Sequence, residues 1–248
     1  FTVIFNLNNT TAQDYGNLQN ALSGYSYRPV GPAFMSGRIA DIAIDSNNEN
    51  VWYVAVGSGG VWKTKNAGTT WMPITDNMPF YSTGSITIDP NDSSRIWVGS
   101  GENVAGRHVG IGHGIYLSKD SGSTWDDMGL NKSEHISKII VHPDNSDIIW
   151  VASQGPLWNS GGDRGLFMST DGGNTWSNKL YINEWTGVTD IIIDPTNPDI
   201  LYAATWQRHR NVASLIDGGP GTSIYKSIDG GNTLSLIHIS EPTRPSLI

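Results

Sequence analysis

Apolar and polar positions alternate in short runs along most of this chain, and each run stops at a cluster of Asn, Asp, Pro or Gly. Four segments show it in register: IAIDSNNENVWYVAV, ITIDPNDSSRIWVGS, IIVHPDNSDIIWVAS and IIIDPTNPDILYAAT. Each reads as a β-branched strand, a tight polar turn and a second strand, which is the pattern of an antiparallel hairpin. No segment sustains a helical apolar period, so the chain is predicted to be all-β.

Between these hairpins lies a second repeat, S/T-x-D/N-x-G-x-T-W. Its copies are TKNAGTTW, SKDSGSTW, STDGGNTW and the incomplete SIDGGNT, and their Asn66, Asp120, Asp171 and Asp229 are 54, 51 and 58 residues apart. One period therefore holds four strands; in the third copy they are predicted near 136–142, 147–153, 165–169 and 175–180. A unit of about fifty residues with four antiparallel strands matches one blade of a β-propeller. The repeated turn has a physical task between strands three and four of each blade. Its carboxylate or amide accepts hydrogen bonds from turn amides, its glycine takes a positive φ, and its Trp71, Trp125 or Trp176 packs between sheets.

These residues carry a resemblance. The segment from Gly24 to Thr233 resembles the Asp-box, or bacterial neuraminidase repeat, propellers, which include sialidases, xyloglucanase-type glycoside hydrolases and sortilin-type receptors. The resemblance implies a fragment of about four antiparallel blades. Residues 1–23 are expected to be a leader, either the remnant of a secretory signal or a disordered or strand-forming extension. Residues 24–233 form three blades plus three strands of a fourth, with Tyr25 to Val30 as a strand that precedes the first blade. LSLIHISEPTR begins at Leu234, where the fourth repeat calls for Trp, and resembles the translation of a DNA-library adaptor. Residues 234–248 are accordingly expected to be a non-native tail, with the remaining blades of the chain as partners of this portion.

Composition narrows the chemistry. With 15 Lys and Arg against 23 Asp and Glu, the net charge of −8 argues against nucleic acid, whose phosphates need clustered cations. The chain has no Cys, which removes disulfides and thiolate metal sites. No apolar run is long enough for a membrane helix. His108 and His113 lack an evident third ligand, so neither a metal nor a cofactor is expected.

Candidate function falls on the connections between strands two and three. The connection is minimal in the first blade, GSGG at Gly57–Gly60, and long in the others: Gly101–Gly114, Gln154–Gly165 and Trp206–Ser223. Polar loops on one end of a rigid scaffold form a natural binding surface. Glu102 and Asp163 are the candidate catalytic carboxylates. Glu102 is either oriented by Arg107 or locked with it in a loop salt bridge, and Asp163 either contacts ligand or caps a turn. Arg38, Arg107, His108, Trp158, Arg164, Trp206 and Arg208 are the candidate ligand contacts. Arg38 and Asp41 either face the axis or bridge to each other.

The resemblance also weighs the activity. In the xyloglucanase-type enzymes one catalytic Asp comes from the first blade, and here that place holds Gly57; Arg38 is similar in position to the first arginine of sialidases. The leading expectation is a secreted or periplasmic module that binds a glycan or polypeptide through these loops, within a larger sortilin-like or glycosidase-like protein. The alternative is a xyloglucanase-like or sialidase-like hydrolase, and a third reading is a purely structural module.

Overall fold

The structure, a computed structural model, describes residues 38–239 apart from 105, 107 and 108. The leader, the strand expected at Tyr25–Val30, and Arg107 and His108 lie outside the described residues. Four antiparallel sheets follow one another along the chain. Blade one is β1 (Ile39–Ile44), β2 (Trp52–Val56), β3 (Gly60–Thr64) and β4 (Met72–Pro73). Blade two is β5 (Thr83–Asp89), β6 (Asp92–Ser100), β7 (Ile115–Ser118) and β8 (Asp126–Asp127). Blade three is β9 (Ile136–His142), β10 (Asn145–Ser153), β11 (Gly165–Ser169) and β12 (Ser177–Leu180). Blade four is β13 (Thr186–Ile193), β14 (Leu201–Arg210), with a short β15 (Leu215–Asp217) paired to its end, then β16 (Ser223–Ser227) and β17 (Ser235–Ile239). Strands pair in up-and-down order in every sheet, and the molecule is a four-bladed portion of a β-propeller.

Two features depart from the expected strand pattern. The fourth sheet has its outer strand: residues 235–239 pair with β16, because an open edge presents main-chain donors and acceptors to any segment of β-compatible pattern. The last long connection is partly strand. β14 runs on to Arg210 and folds back as β15, through a turn in which Asn211 Oδ1 accepts the amides of Ala213 and Ser214 at 2.9 and 2.8 Å.

The core lies between blades, where the apolar face of each sheet meets the next. Tyr53, Val61, Ile86, Ile96 and Val98 join blades one and two. Trp97, Leu117, Ile139, Val151 and Phe167 join two and three, and Trp150, Leu166, Ile191 and Leu201 join three and four. Trp97 and Trp150 are buried completely, each contributing at most about 4–6 kcal/mol from the area removed from water.

The repeated turns tie the sheets together at one end. Asp120 Oδ1 accepts the amides of Ser123 and Thr124 at 2.9 and 2.8 Å, and its Oδ2 accepts the Thr124 hydroxyl at 2.6 Å. Asp171 and Asp229 bind Thr175 and Thr233 in the same way. Each turn also reaches the first hairpin of its own blade, through Ala67 N to Asn50 O, Ser121 N to Ser94 O, Gly172 N to Asp147 O and Gly230 N to Asp199 O. The long connections emerge at the opposite end, beside the links between blades: Gly101 N donates to Ser82 O, Gln154 N to His135 O and Arg208 N to Trp185 O. Among the described residues, no helix is long and apolar enough to cross a membrane.

Candidate functional site

Glu102 leaves the end of β6 and turns inward, so its side chain is only 2% exposed. Its carboxylate does not stand alone. Arg38, at the entry to β1, donates to Oε1 from Nη2 at 2.6 Å and from Nε at 3.2 Å. Ser58 Oγ lies 3.4 Å from the same oxygen, and the Gly110 amide donates to Oε2 at 2.8 Å. Charge-assisted bonds of this kind are short and directional, and they keep a buried carboxylate in one place.

The neighbouring glycine explains how the carboxylate fits. A Cβ at position 57 would stand 2.5 Å from Glu102 Oε1, so a side chain at 57 and the Glu102 carboxylate compete for one space. Blade two thus delivers a carboxylate to the place that blade one leaves empty. A cleft of about 190 Å³ opens there, lined by Arg38, Gly57 and Glu102 with Ile39, Ala40, Asn103 and Val104. The Arg38 side chain is 55% exposed, so the pair has one solvent-facing side. Among the described residues, Arg38 is the salt-bridge partner of Glu102; Arg107, the partner expected from the sequence, lies outside them. Arg38 and Asp41 do not bridge to each other: Asp41 Oδ2 accepts the Ile86 amide at 3.2 Å and lies 3.8 Å from Lys138 Nζ of blade three.

The other candidates divide between scaffold and surface. Asp163 Oδ2 accepts the Lys132 amide at 3.0 Å, a turn-capping bond that joins the blade-three loop to the link before it. Arg164 is 1% exposed, and its guanidinium donates to the main-chain oxygens of Gly161, Gln154, Pro156 and Asn159. It holds the loop from within, and burial lowers its pKa to about 10. Trp158, on the same loop, is exposed. Trp206 is half-buried, with the Arg208 guanidinium 5.1 Å from its ring centre. Arg208 is itself 1% exposed and donates from Nη1 to Val104 O at 3.1 Å.

Several residues at this end carry no signal in the sequence. His135 precedes β9 and is buried; burial first, and then the Arg208 charge, lower its pKa to about 3 and keep the imidazole neutral. Glu134 beside it holds a φ of 62°, and burial raises its carboxyl while Arg164 and His113 pull the other way. Trp185 stacks on His209 with ring centres 3.9 Å apart. His135, Glu134 and Trp185 lie outside the long insertions, and residue type alone does not distinguish them.

The chain is 24% identical over 232 residues to an oligoxyloglucan-reducing end-specific xyloglucanase of Emericella nidulans, covering 84% of this chain and 25% of that protein. It is 26% identical over 228 residues to a xyloglucanase of Acetivibrio thermocellus, covering 82% and 25%. The chain thus spans about a quarter of the length of these relatives. Among solved structures, an ancestral GH74 enzyme superposes with a TM-score of 0.63 at 22% identity, over 83% of this chain and 24% of that one. A GH74 enzyme of Niastella koreensis gives 0.59 at 23% identity, over 79% and 28%, and both share the propeller fold. The family model described as "Sortilin, neurotensin receptor 3" (Sortilin-Vps10) matches residues 113–243, from the rim of the blade-two loop through blades three and four. That match spans more than half of the 248 residues, and the chain belongs to the Sortilin-Vps10 family.

Proposed function

We propose that this chain is the glycan-holding portion of a glycoside-hydrolase-type propeller, with Glu102 as the working carboxylate of its loop-bearing end. The observation that carries the reading is the buried Glu102 carboxylate, clamped by Arg38 and the Gly110 amide at the edge of an open cleft. A carboxylate so placed can accept hydrogen bonds from sugar hydroxyls or take a proton from water, and exposed Trp158 offers an apolar ring face at the same end of the molecule. The xyloglucanase relatives support xyloglucan or its oligosaccharides as the ligand class. Such a ligand fits a secreted or periplasmic protein.

The second reading, binding without turnover, is favoured by one feature. Glycoside hydrolysis uses two carboxyl groups on either side of the bond, and among the residues lining the cleft only Glu102 carries one. In the hydrolase reading the second carboxyl comes from outside this cleft.

Calorimetric titration with xyloglucan oligosaccharides, alongside an assay for released reducing ends, tests both readings. The expected result is binding by the chain and a loss of ten-fold or more in affinity for Glu102→Gln. Equal affinity of the two proteins would remove Glu102 from the site. Reducing ends released by the chain and not by Glu102→Gln would select hydrolysis over binding.

A further inference from the structure

The carboxylate of Glu102 is held by groups at its own tip, but the main chain beneath it is held from elsewhere. Three successive carbonyls of the loop, those of Glu102, Asn103 and Val104, each meet a side chain from another blade. The His135 imidazole, at the entry to blade three, interacts with Glu102 O. Gln154 Nε2, at the end of β10, points to Asn103 O at 3.4 Å. Arg208 Nη1, from β14, donates to Val104 O at 3.1 Å across 104 residues of sequence.

All three side chains are buried. Their remaining polar atoms have no partner among the described residues: Arg208 Nε and Nη2, His135 Nδ1 and Gln154 Oε1. Unsatisfied polar groups in an interior destabilise a fold, and a buried cation with no ion-paired carboxylate does so more. Apolar side chains of similar volume would serve stability better at these positions. What the polar groups supply, and apolar ones cannot, is a directional hold on the main chain of one loop, the loop that carries Glu102. Catalytic and binding groups need this kind of support to keep a fixed geometry.

We infer that Arg208 is a positioning residue for Glu102: from blade four it fixes the main chain of the Glu102–Val104 loop, with Gln154 on the carbonyl before it. The inference rests on Glu102 being the working carboxylate of this face. It links the strand that carries the β14–β15 arm to the cleft between blades one and two.

Hydrogen exchange and a double-mutant cycle test it on the chain as it stands. Arg208→Met is expected to raise the exchange rate of the Gly110 amide, which donates to Glu102 Oε2, at least ten-fold, while the amides of β10 keep their protection. Arg208→Lys, which retains one donor for Val104 O, recovers most of that protection. With xyloglucan oligosaccharide as probe, Arg208→Met lowers affinity in the parent chain and has no further effect in the Glu102→Gln background. Unchanged exchange at Gly110, or an equal loss of affinity in both backgrounds, would overturn the inference. If Arg208→Met loses protection everywhere, Gln154→Ala decides instead: faster exchange confined to Gly110 supports the hold, and no change refutes it. Should Glu102→Gln leave affinity untouched, the proposed function fails, while the exchange result still decides whether Arg208 holds the loop.

Discussion

At position 66 an amide stands where three later turns carry a carboxylate, and one hydroxyl shows the difference. Thr124 Oγ1 donates to Asp120 Oδ2 at 2.6 Å, whereas Thr70 Oγ1 accepts from Asn66 Nδ2 at 2.9 Å. The Asn turn closes with the bond reversed and no charge, so it does not titrate. The Asp turns do: the Thr124 hydroxyl and amide, with Ser118, hold the Asp120 carboxyl at about 2, and Thr233 and Ser227 hold Asp229 likewise at about 2. Their folded values lie below the unfolded value of about 3.9, so the turns stabilise the fold above pH 4 and lose that contribution as pH falls towards 2. His135 titrates earlier. Its pKa falls from about 6.5 unfolded to about 3 folded, so the unfolded chain binds the extra proton between these values and stability declines as pH drops below about 6.5. We expect urea unfolding at stepped pH to show a first loss of up to about 1.4 kcal/mol per pH unit below pH 6.5, and a second below pH 4. His135→Gln should flatten the first limb alone; a first limb of unchanged slope in that variant would assign it to another group.

The glycine of each turn ties local conformation to the packing of whole sheets. Gly173 has a φ of 90°, and a Cβ there would stand 2.5 Å from the ring of Trp97 in the preceding blade. Gly231 faces Trp150 in the same way, at 2.7 Å. Gly161 also has a positive φ, 72°, but has open space around it. Gly173→Ala is therefore expected to cost about 2–5 kcal/mol, strain and overpacking together, and Gly161→Ala only about 1–2 kcal/mol. Denaturant midpoints compare the two directly, and equal losses would show that backbone strain alone governs the turn. The strands and turns of blades two and three were legible because the repeat states each of them several times: predicted 136–142 and 165–169 are Ile136–His142 and Gly165–Ser169. The β14–β15 arm was not, since a single insertion has no second copy to compare with. The site was half legible. Glu102 stood out as a carboxylate in a long loop, but its partner Arg38 lies 64 residues away, too far along the chain for the sequence to pair them. His135 and Gln154 look like ordinary strand-end residues until three blades are brought together.

Across the whole molecule one junction recurs, and its third occurrence differs. Trp125 donates from Nε1 to Ile74 O at 3.0 Å and Trp176 to Met128 O at 2.7 Å, each closing a blade onto the one before it. Trp71 holds the same place in blade one but is 40% exposed, in an apolar face with Ile39, Ile42 and Trp62 that no described blade covers. At the junction of blades three and four the position belongs to Leu234, which packs on the shared core but has no donor. Each acceptor lies three residues after the Trp of the preceding turn, Ile74 after Trp71 and Met128 after Trp125, which puts the Lys179 carbonyl, three after Trp176, at the corresponding place in blade three. Leu234→Trp should reach that carbonyl and bury more ring surface, adding about 1–2 kcal/mol to stability through area and one hydrogen bond. The gain should be confined to blade four: amides of β16 and β17 exchange more slowly in the variant, while those of β2 and β3 do not change. A variant no more stable than the parent chain would mean that the last junction is not built like the two before it, and that the outer strand at Ser235–Ile239 lies on blade four without the closure the other blades share.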